Sequence, residues 1–303
     1  MFICGVPRSG TTLLTRLLDG HPSLAVLPWD TQVRSLILER PLSRLVLRAS
    51  SLLDRPELPG RLAAWASGDS AFPDRDALAK RLARWLQDFP SPPGDPEGMA
   101  RRAVAHVNGA AGAWEAFFSA LADVAGREVL TRPIRVEKTP YNEGLVSLLD
   151  ALFGAQTRYV HLVRDPRAVI GSWTRMHAPA AAARASALLD RSVDWARSLD
   201  LARHHLRVRP DRYAVLRYED LVADPHAAME GVRVFLDLMP HPALESPTHL
   251  GAPALPNSSY EAGSDAGVVR LEPTRWTRSL APEEVARIEA WLGPQMRTCG
   301  YSA

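Results

Sequence analysis

The chain has 303 residues, 46% of them hydrophobic and 23% charged, a composition that excludes a disordered chain and allows one large buried core or two modest ones. A net charge of +2 with a pI near 8.7 is far below what a general nucleic-acid binder carries, and it fits an anionic ligand held in one cleft. Two cysteines, Cys4 and Cys299, are too few for a disulfide framework and lack metal-ligand spacing, so a reduced, cytoplasmic setting without a metal site is expected. No apolar run approaches membrane-spanning length and Met1 already opens the first strand with no basic-then-apolar segment before the fold, so a soluble, unexported protein with no membrane partner is expected.

In chain order, short apolar runs suited to strands buried on both faces occur at Met1 to Val6, Leu24 to Leu27, Ile134 to Glu137, Arg158 to Val163 and Tyr213 to Arg217. A helix follows the first run, where Leu13, Leu14, Leu17 and Leu18 form one apolar stripe ending at Gly20. From about Thr31 to Arg132 the alternation breaks. This stretch is strand-poor, rich in alanine, leucine and arginine, and punctuated by Pro56, Pro59, Pro73 and Pro90-Ser-Pro-Pro-Gly94. It reads as a helical insertion, either a cover over a ligand site or a helical flank. Its Trp65 and Trp85, with Trp114, allow an aromatic or apolar ligand, although core positions are their ordinary use.

Further on, Asp165-Pro166 and Asp224-Pro225 each place an N-cap before a proline at the first helical position. The helices they open carry Val169, Ile170 and Trp173, and Met229, Val232, Phe235 and Leu236. Pro240 to Gly267 reads as loop, and Pro282 opens the last helix. Strand alternating with helix predicts an α/β chain with a central parallel sheet and helices on both faces.

The segment Gly5-Val-Pro-Arg-Ser-Gly-Thr-Thr12 joins the first strand to the first helix, so its backbone N–H groups and the helix N-terminus converge on an anion. It keeps the two glycines of a nucleotide-hydrolase loop at the right separation, yet Thr11 stands where that loop requires lysine. The cation lies inside the loop instead, as Arg8. Lysine occurs only at Lys80 and Lys138, every other basic residue being arginine, so a lysine within a motif draws notice for its compact charge.

This loop resembles the 5′-phosphosulfate loop of the sulfotransferases that use 3′-phosphoadenosine-5′-phosphosulfate (PAPS). Val163-Arg-Asp-Pro-Arg-Ala-Val-Ile-Gly-Ser172 is similar to the family's 3′-phosphate motif, and Leu216-Arg-Tyr-Glu-Asp-Leu221 to its next strand-to-helix junction. Glu137-Lys-Thr-Pro140 is similar to the lysine-bearing turn of a subgroup that includes tyrosylprotein sulfotransferases and many bacterial enzymes. The resemblance implies a single-domain, P-loop-like three-layer α/β sandwich over residues 1–303; it leaves most of Thr31 to Arg132 uncovered, and the helical insertion read there from composition, at about 31–132, is the expected acceptor-binding region. It also implies transfer of a sulfuryl group from PAPS, without a metal, to a hydroxyl of a small molecule or of a peptide.

The roles implied are these. Arg8 and Lys138 stabilise charge on the bridging oxygen of the departing phosphate, while Ser9, Gly10, Thr11 and Thr12 supply backbone and hydroxyl contacts. Arg164 and Ser172 meet the 3′-phosphate, Tyr218 lines the nucleotide site, and Arg275 or Arg278 closes over it with Trp276 nearby. The attacking hydroxyl loses a proton to a base, and Asp30 stands where the subgroup usually has glutamate. Asp30 equally fits the N-cap of a helix beginning near Thr31. Strand alternation turns Glu137 away from Lys138, toward a structural ion pair. His161, mid-strand between Val160 and Leu162, reads as a buried structural histidine before it reads as a base. Two rivals stand: a kinase or hydrolase, which the missing lysine disfavours, and a noncatalytic nucleotide-binding module.

Overall fold

A computed structural model describes residues 1–32, 74–105, 107–177, 181–254 and 274–302. Five strands, β1 (Phe2–Cys4), β2 (Leu24–Val26), β3 (Ile134–Lys138), β4 (Tyr159–Val163) and β5 (Tyr213–Arg217), form one sheet in the order β2-β3-β1-β4-β5. Every neighbouring pair in it is parallel. All five runs expected as strands are present, β1 shorter at both ends and β3 extended by Lys138.

Strand alternation divides the core. Phe2, Cys4, Ala25, Leu27, Tyr159 and Tyr213 face one helical layer, while Ile3, Leu24, Val26, Val136, Val160 and Leu162 face the other. The second face is covered by α1 (Thr11–Leu18) and, beyond the short α8 (Tyr218–Ala223), by α9 (Pro225–Leu236). Full burial of Leu14, Leu17 and Leu18 on α1 stabilises that contact by about 1.5–3 kcal/mol per side chain. The first face is covered by α2 (Arg75–Gln87), α3 (Pro96–Ala105), α4 (Gly109–Ala125) and α5 (Val146–Phe153).

The described part of the insertion is therefore helical, as its composition predicts, and the proline-rich segment 90–94 separates α2 from α3. Trp85 and Trp114 are core, at 3% and 4% exposure. Trp65, with Pro56, Pro59 and Pro73, lies outside the described residues. The helix expected near Thr31 does not begin at Thr31 or Gln32, which are non-helical; Gln32 has φ 55°, and residues from 33 to 73 lie outside the description.

After β4, α6 (Pro166–His177) and the 28-residue α7 (Ala181–Val208) form a third cluster with α10 (Pro282–Thr298), built on Ile170, Trp195, Ile288 and Leu292. The length of α7 was not apparent from its apolar spacing. The loop expected from Pro240 contains a small antiparallel hairpin, β6 (Thr248–His249) with β7 (Ala252–Pro253), pinned to α1 by Asp19, which accepts hydrogen bonds from the Thr248 hydroxyl and the Gly251 N–H. Residues 255–273 lie outside the description. The short helix α8 (Tyr218–Ala223) follows β5 directly.

Candidate active site

The site forms at the C-terminal edge of the parallel strands, where side chains after β1, β2, β3 and β4 converge. The loop after β1 turns sharply, with positive φ at Gly5 (130°), Arg8 (75°) and Gly10 (101°). Glycine at Gly10 is required twice over, because a Cβ there would lie 2.2 Å from Tyr218 Cδ2. Ser9 is fully buried and directs both its N–H (3.2 Å) and its hydroxyl (2.8 Å) at the Val6 carbonyl, so it shapes the turn. Leu13 and Leu14 bond back to the Gly10 carbonyl, which leaves Thr11 and Thr12 in the first turn of α1, where N–H groups have no intrahelical partner.

Arg8, though in a strained left-handed conformation, reaches across to α6, its Nε donating to Ser172 Oγ at 2.9 Å. Arg164, at the end of β4, donates through Nη1 to the Arg8 carbonyl at 3.1 Å and lies over the Tyr218 ring at 4.0 Å. Sequence spacing did not show that Arg164 and Ser172 converge; both do so on Arg8. Asp165 does not pair with its neighbour Arg164; both its oxygens hold Arg167, which also pairs with Glu289 of α10 at 2.7 Å.

Arg164 Nε is buried without a hydrogen-bond partner. A buried guanidinium N–H left unpaired between a loop carbonyl and an aromatic face suits an anionic ligand. The turn Arg275–Arg278 lies against α6, with Trp276 packed over the Arg167 guanidinium at 4.5 Å and the following Leu280 beside Gly171. This brings that turn next to the Ser172 segment. Arg278 is exposed there, and the Arg275 side chain lies outside the described residues.

On the other side of β1, Lys138 ends β3 and is 9% exposed at its side chain. Its Nζ pairs with Asp30 Oδ1 and donates to Thr12 Oγ1 at 3.3 Å. The side chain of Asp30 is 31% exposed. Lys138, Asp30 and the first turn of α1 are thus brought together, across 108 and 126 positions of sequence.

Glu137 does face away from Lys138, but not into an ion pair. Its Oε1 accepts hydrogen bonds from the hydroxyls of Thr31 (2.8 Å) and Thr139 (2.5 Å), and its Oε2 from Asn142 Nδ2 (2.9 Å). Burial raises its pKa above the ordinary 4.5, against the opposing effect of these three donors.

A second buried carboxylate, Glu143, accepts the Gly5 N–H at 2.9 Å and the Ser198 hydroxyl at 2.5 Å, tying the start of the loop to α7. The sequence reading missed it; its only signal was a carboxylate in a turn that follows the lysine. His161 is structural as expected: it is buried, its Nδ1 lies 2.7 Å from the Tyr213 hydroxyl and its Nε2 3.2 Å from Ser198 Oγ, and burial lowers its pKa. Among the described residues no group of His, Cys, Asp and Glu is placed to hold a metal, and no helix is long and apolar enough to cross a membrane.

Comparison with known proteins identifies the family. A family model described as "Sulfotransferase family" matches residues 1–242. The chain is 23% identical to the protein-tyrosine sulfotransferase of Drosophila melanogaster over 99% of its own length and 51% of that protein's. It is 29% identical to carbohydrate sulfotransferase 5 of Mus musculus over 48% of its own length and 41% of that protein's. The chain thus spans about half the length of the curated relatives it matches.

Two solved structures share the fold. They are the sulfotransferase domain of the Synechococcus PCC 7002 olefin synthase (TM-score 0.50, 22% identity, 96% of this chain and 93% of that one) and the sulfotransferase domain from the curacin biosynthetic pathway (TM-score 0.51, 20% identity, 96% of each). With a loop that replaces the hydrolase lysine by an internal arginine, and a family match over most of its length, the chain belongs to the sulfotransferase family.

Proposed function

We propose that this protein transfers a sulfuryl group from PAPS to a hydroxyl of a small-molecule acceptor. The observation that carries this reading is the meeting of Asp30, Lys138 and Thr12 at the end of the loop that holds Arg8. It joins a carboxylate able to take a proton to a cation able to neutralise a leaving oxygen. The donor would lie with its phosphates along the loop and first turn of α1, near Arg8, Gly10, Thr11 and Thr12, and its 3′-phosphate near Arg164 and Ser172. Arg275 or Arg278 would close over it. The unpaired Arg164 Nε and the Gly10 approach support that placement.

In the chemistry, the donor supplies an activated sulfur and a phosphate leaving group. Asp30 accepts the acceptor's hydroxyl proton as that oxygen bonds to sulfur, and the bond from sulfur to the phosphate oxygen breaks. Arg8 and Lys138 stabilise the charge released on that oxygen. Positioning and charge supply the rate, by the logic that also governs phosphoryl transfer.

A tyrosyl peptide is a second acceptor class, favoured by an alignment that takes in 99% of this chain and 51% of the Drosophila protein-tyrosine sulfotransferase. The insertion from about 31 to 132 would select between them. The test is incubation with PAPS and panels of phenols, sugars and tyrosyl peptides, following desulfonated nucleotide and product mass. Asp30→Asn should lower turnover by about 10²–10⁴-fold and leave affinity for the product nucleotide within about threefold. Near-normal turnover removes Asp30 as the base, and binding without transfer by the unaltered protein identifies a noncatalytic nucleotide module.

A further inference from the structure

The ladder between β2 and β3 ends at Val26 opposite Val136, with one further bond from the Leu27 N–H to the Val136 carbonyl. Asp30 lies beyond it, in a non-helical segment whose next residue but one, Gln32, has φ 55°. Among the described residues, strand pairing therefore stops short of Asp30, and side-chain bonds hold its neighbours. The Thr31 hydroxyl donates to Glu137 at 2.8 Å, and the Gln32 N–H donates to the Thr139 hydroxyl at 3.3 Å, which itself donates to the same Glu137 oxygen. Thr31 and Thr139 are the chain neighbours of Asp30 and Lys138.

Glu137 is in turn anchored to the sheet. Its second oxygen accepts from Asn142 Nδ2, which also donates to the Ile3 carbonyl of β1 at 3.1 Å. At 2% exposure, and with three protein donors, Glu137 is enclosed, its oxygens turned to protein partners.

We infer that Glu137, acting through the hydroxyls of Thr31 and Thr139, is a positioning residue that fixes the separation of Asp30 and Lys138. The inference rests on the proposed roles of those two residues. A fixed pair matters because the proton acceptor and the cation serve opposite ends of one in-line transfer. A displacement of about 1 Å at such a centre costs up to about 10²-fold in rate. A carboxylate receiving two hydroxyls on one oxygen holds both neighbouring segments by one rigid group, which water in its place would not do.

The experiment compares Thr31→Val, which keeps shape and removes the hydroxyl, with Thr31→Ser, which keeps the hydroxyl. For each, kcat, KM for PAPS, calorimetric affinity for 3′-phosphoadenosine-5′-phosphate and melting temperature are measured. Thr31→Val should lose about tenfold or more in kcat with nucleotide affinity within twofold, and Thr31→Ser should recover most of that loss. The inference is overturned if Thr31→Val keeps kcat within twofold of the unaltered protein, or if Ser and Val are equally impaired. Should Thr31→Val fail to fold, Thr139→Val carries the same expectation and the same overturning result. An unaltered protein that transfers nothing removes the catalytic reading and this inference with it; one that transfers, beside an unimpaired Thr31→Val, removes this inference alone.

Discussion

Lys138 at the end of β3 pairs with Asp30 beyond β2, and the same ammonium reaches Thr12 on the first turn of α1. One buried cation therefore joins the candidate base to the first turn of the helix that follows the loop. Lys138→Ala should lower kcat by about 10²–10³-fold, the usual loss for a charge-stabilising donor. Lys138→Arg should restore little, because a planar guanidinium does not reproduce a compact ammonium between two oxygens. Steady-state kinetics with saturating PAPS decides this, and an arginine variant at half the normal rate would contradict it.

Arg164 meets the loop through the Arg8 carbonyl, and its Nε is buried without a partner. Arg164→Ala should weaken binding of 3′-phosphoadenosine-5′-phosphate by about 10- to 100-fold, the equivalent of one or two charged hydrogen bonds. The loss should be smaller for adenosine 5′-phosphate, which lacks the 3′-phosphate. Equal losses for the two nucleotides, read by calorimetry, would place Arg164 elsewhere.

Gly10 combines φ 101° with contact against the Tyr218 ring. Gly10→Ala adds left-handed strain of about 1–2 kcal/mol to a clash that the buried tyrosine cannot relieve by moving freely. A lower melting temperature and weakened nucleotide binding should appear together. A Gly10→Ala protein as stable as its parent would show that the loop relaxes at no cost.

Burial raises the Glu137 pKa above its ordinary value of 4.5. A raised native pKa means that the folded protein holds this proton more tightly than the unfolded chain. The stabilising contribution is complete below pH 4.5 and is lost as pH rises through the native value. Glu137→Gln removes this component. Relative to the parent, the variant should gain up to about 1.4 kcal/mol of unfolding free energy per pH unit across that window. Denaturant titrations from pH 4 to 7 measure the difference, and a difference constant with pH would assign Glu137 an unshifted carboxyl.

The periodic and local features were legible in the sequence. Runs such as Arg158 to Val163 declare a strand buried on both faces, found at Tyr159–Val163, and the Asp-Pro pairs at 165 and 224 open helices where the structure has them. Gly5 to Thr12 declares a tight strand-to-helix turn, which the structure has, because glycine spacing and a following helix are themselves local geometry. Arg8 within it, and Thr11 in place of lysine, separate it from hydrolase loops without any knowledge of the fold.

What the sequence did not decide is which side chains meet at the sheet edge, because that depends on strand order. Placing β3 between β2 and β1 sets Lys138 beside both Asp30 and Thr12, and placing β4 on the other side of β1 lets Arg164 reach the Arg8 carbonyl. The same order turns Glu137 from an expected ion-pair partner into the acceptor of Thr31, Thr139 and Asn142. Periodicity fixes the face a residue occupies, but contacts across more than a hundred positions are set by how the strands are arranged, and only the tertiary structure shows that arrangement.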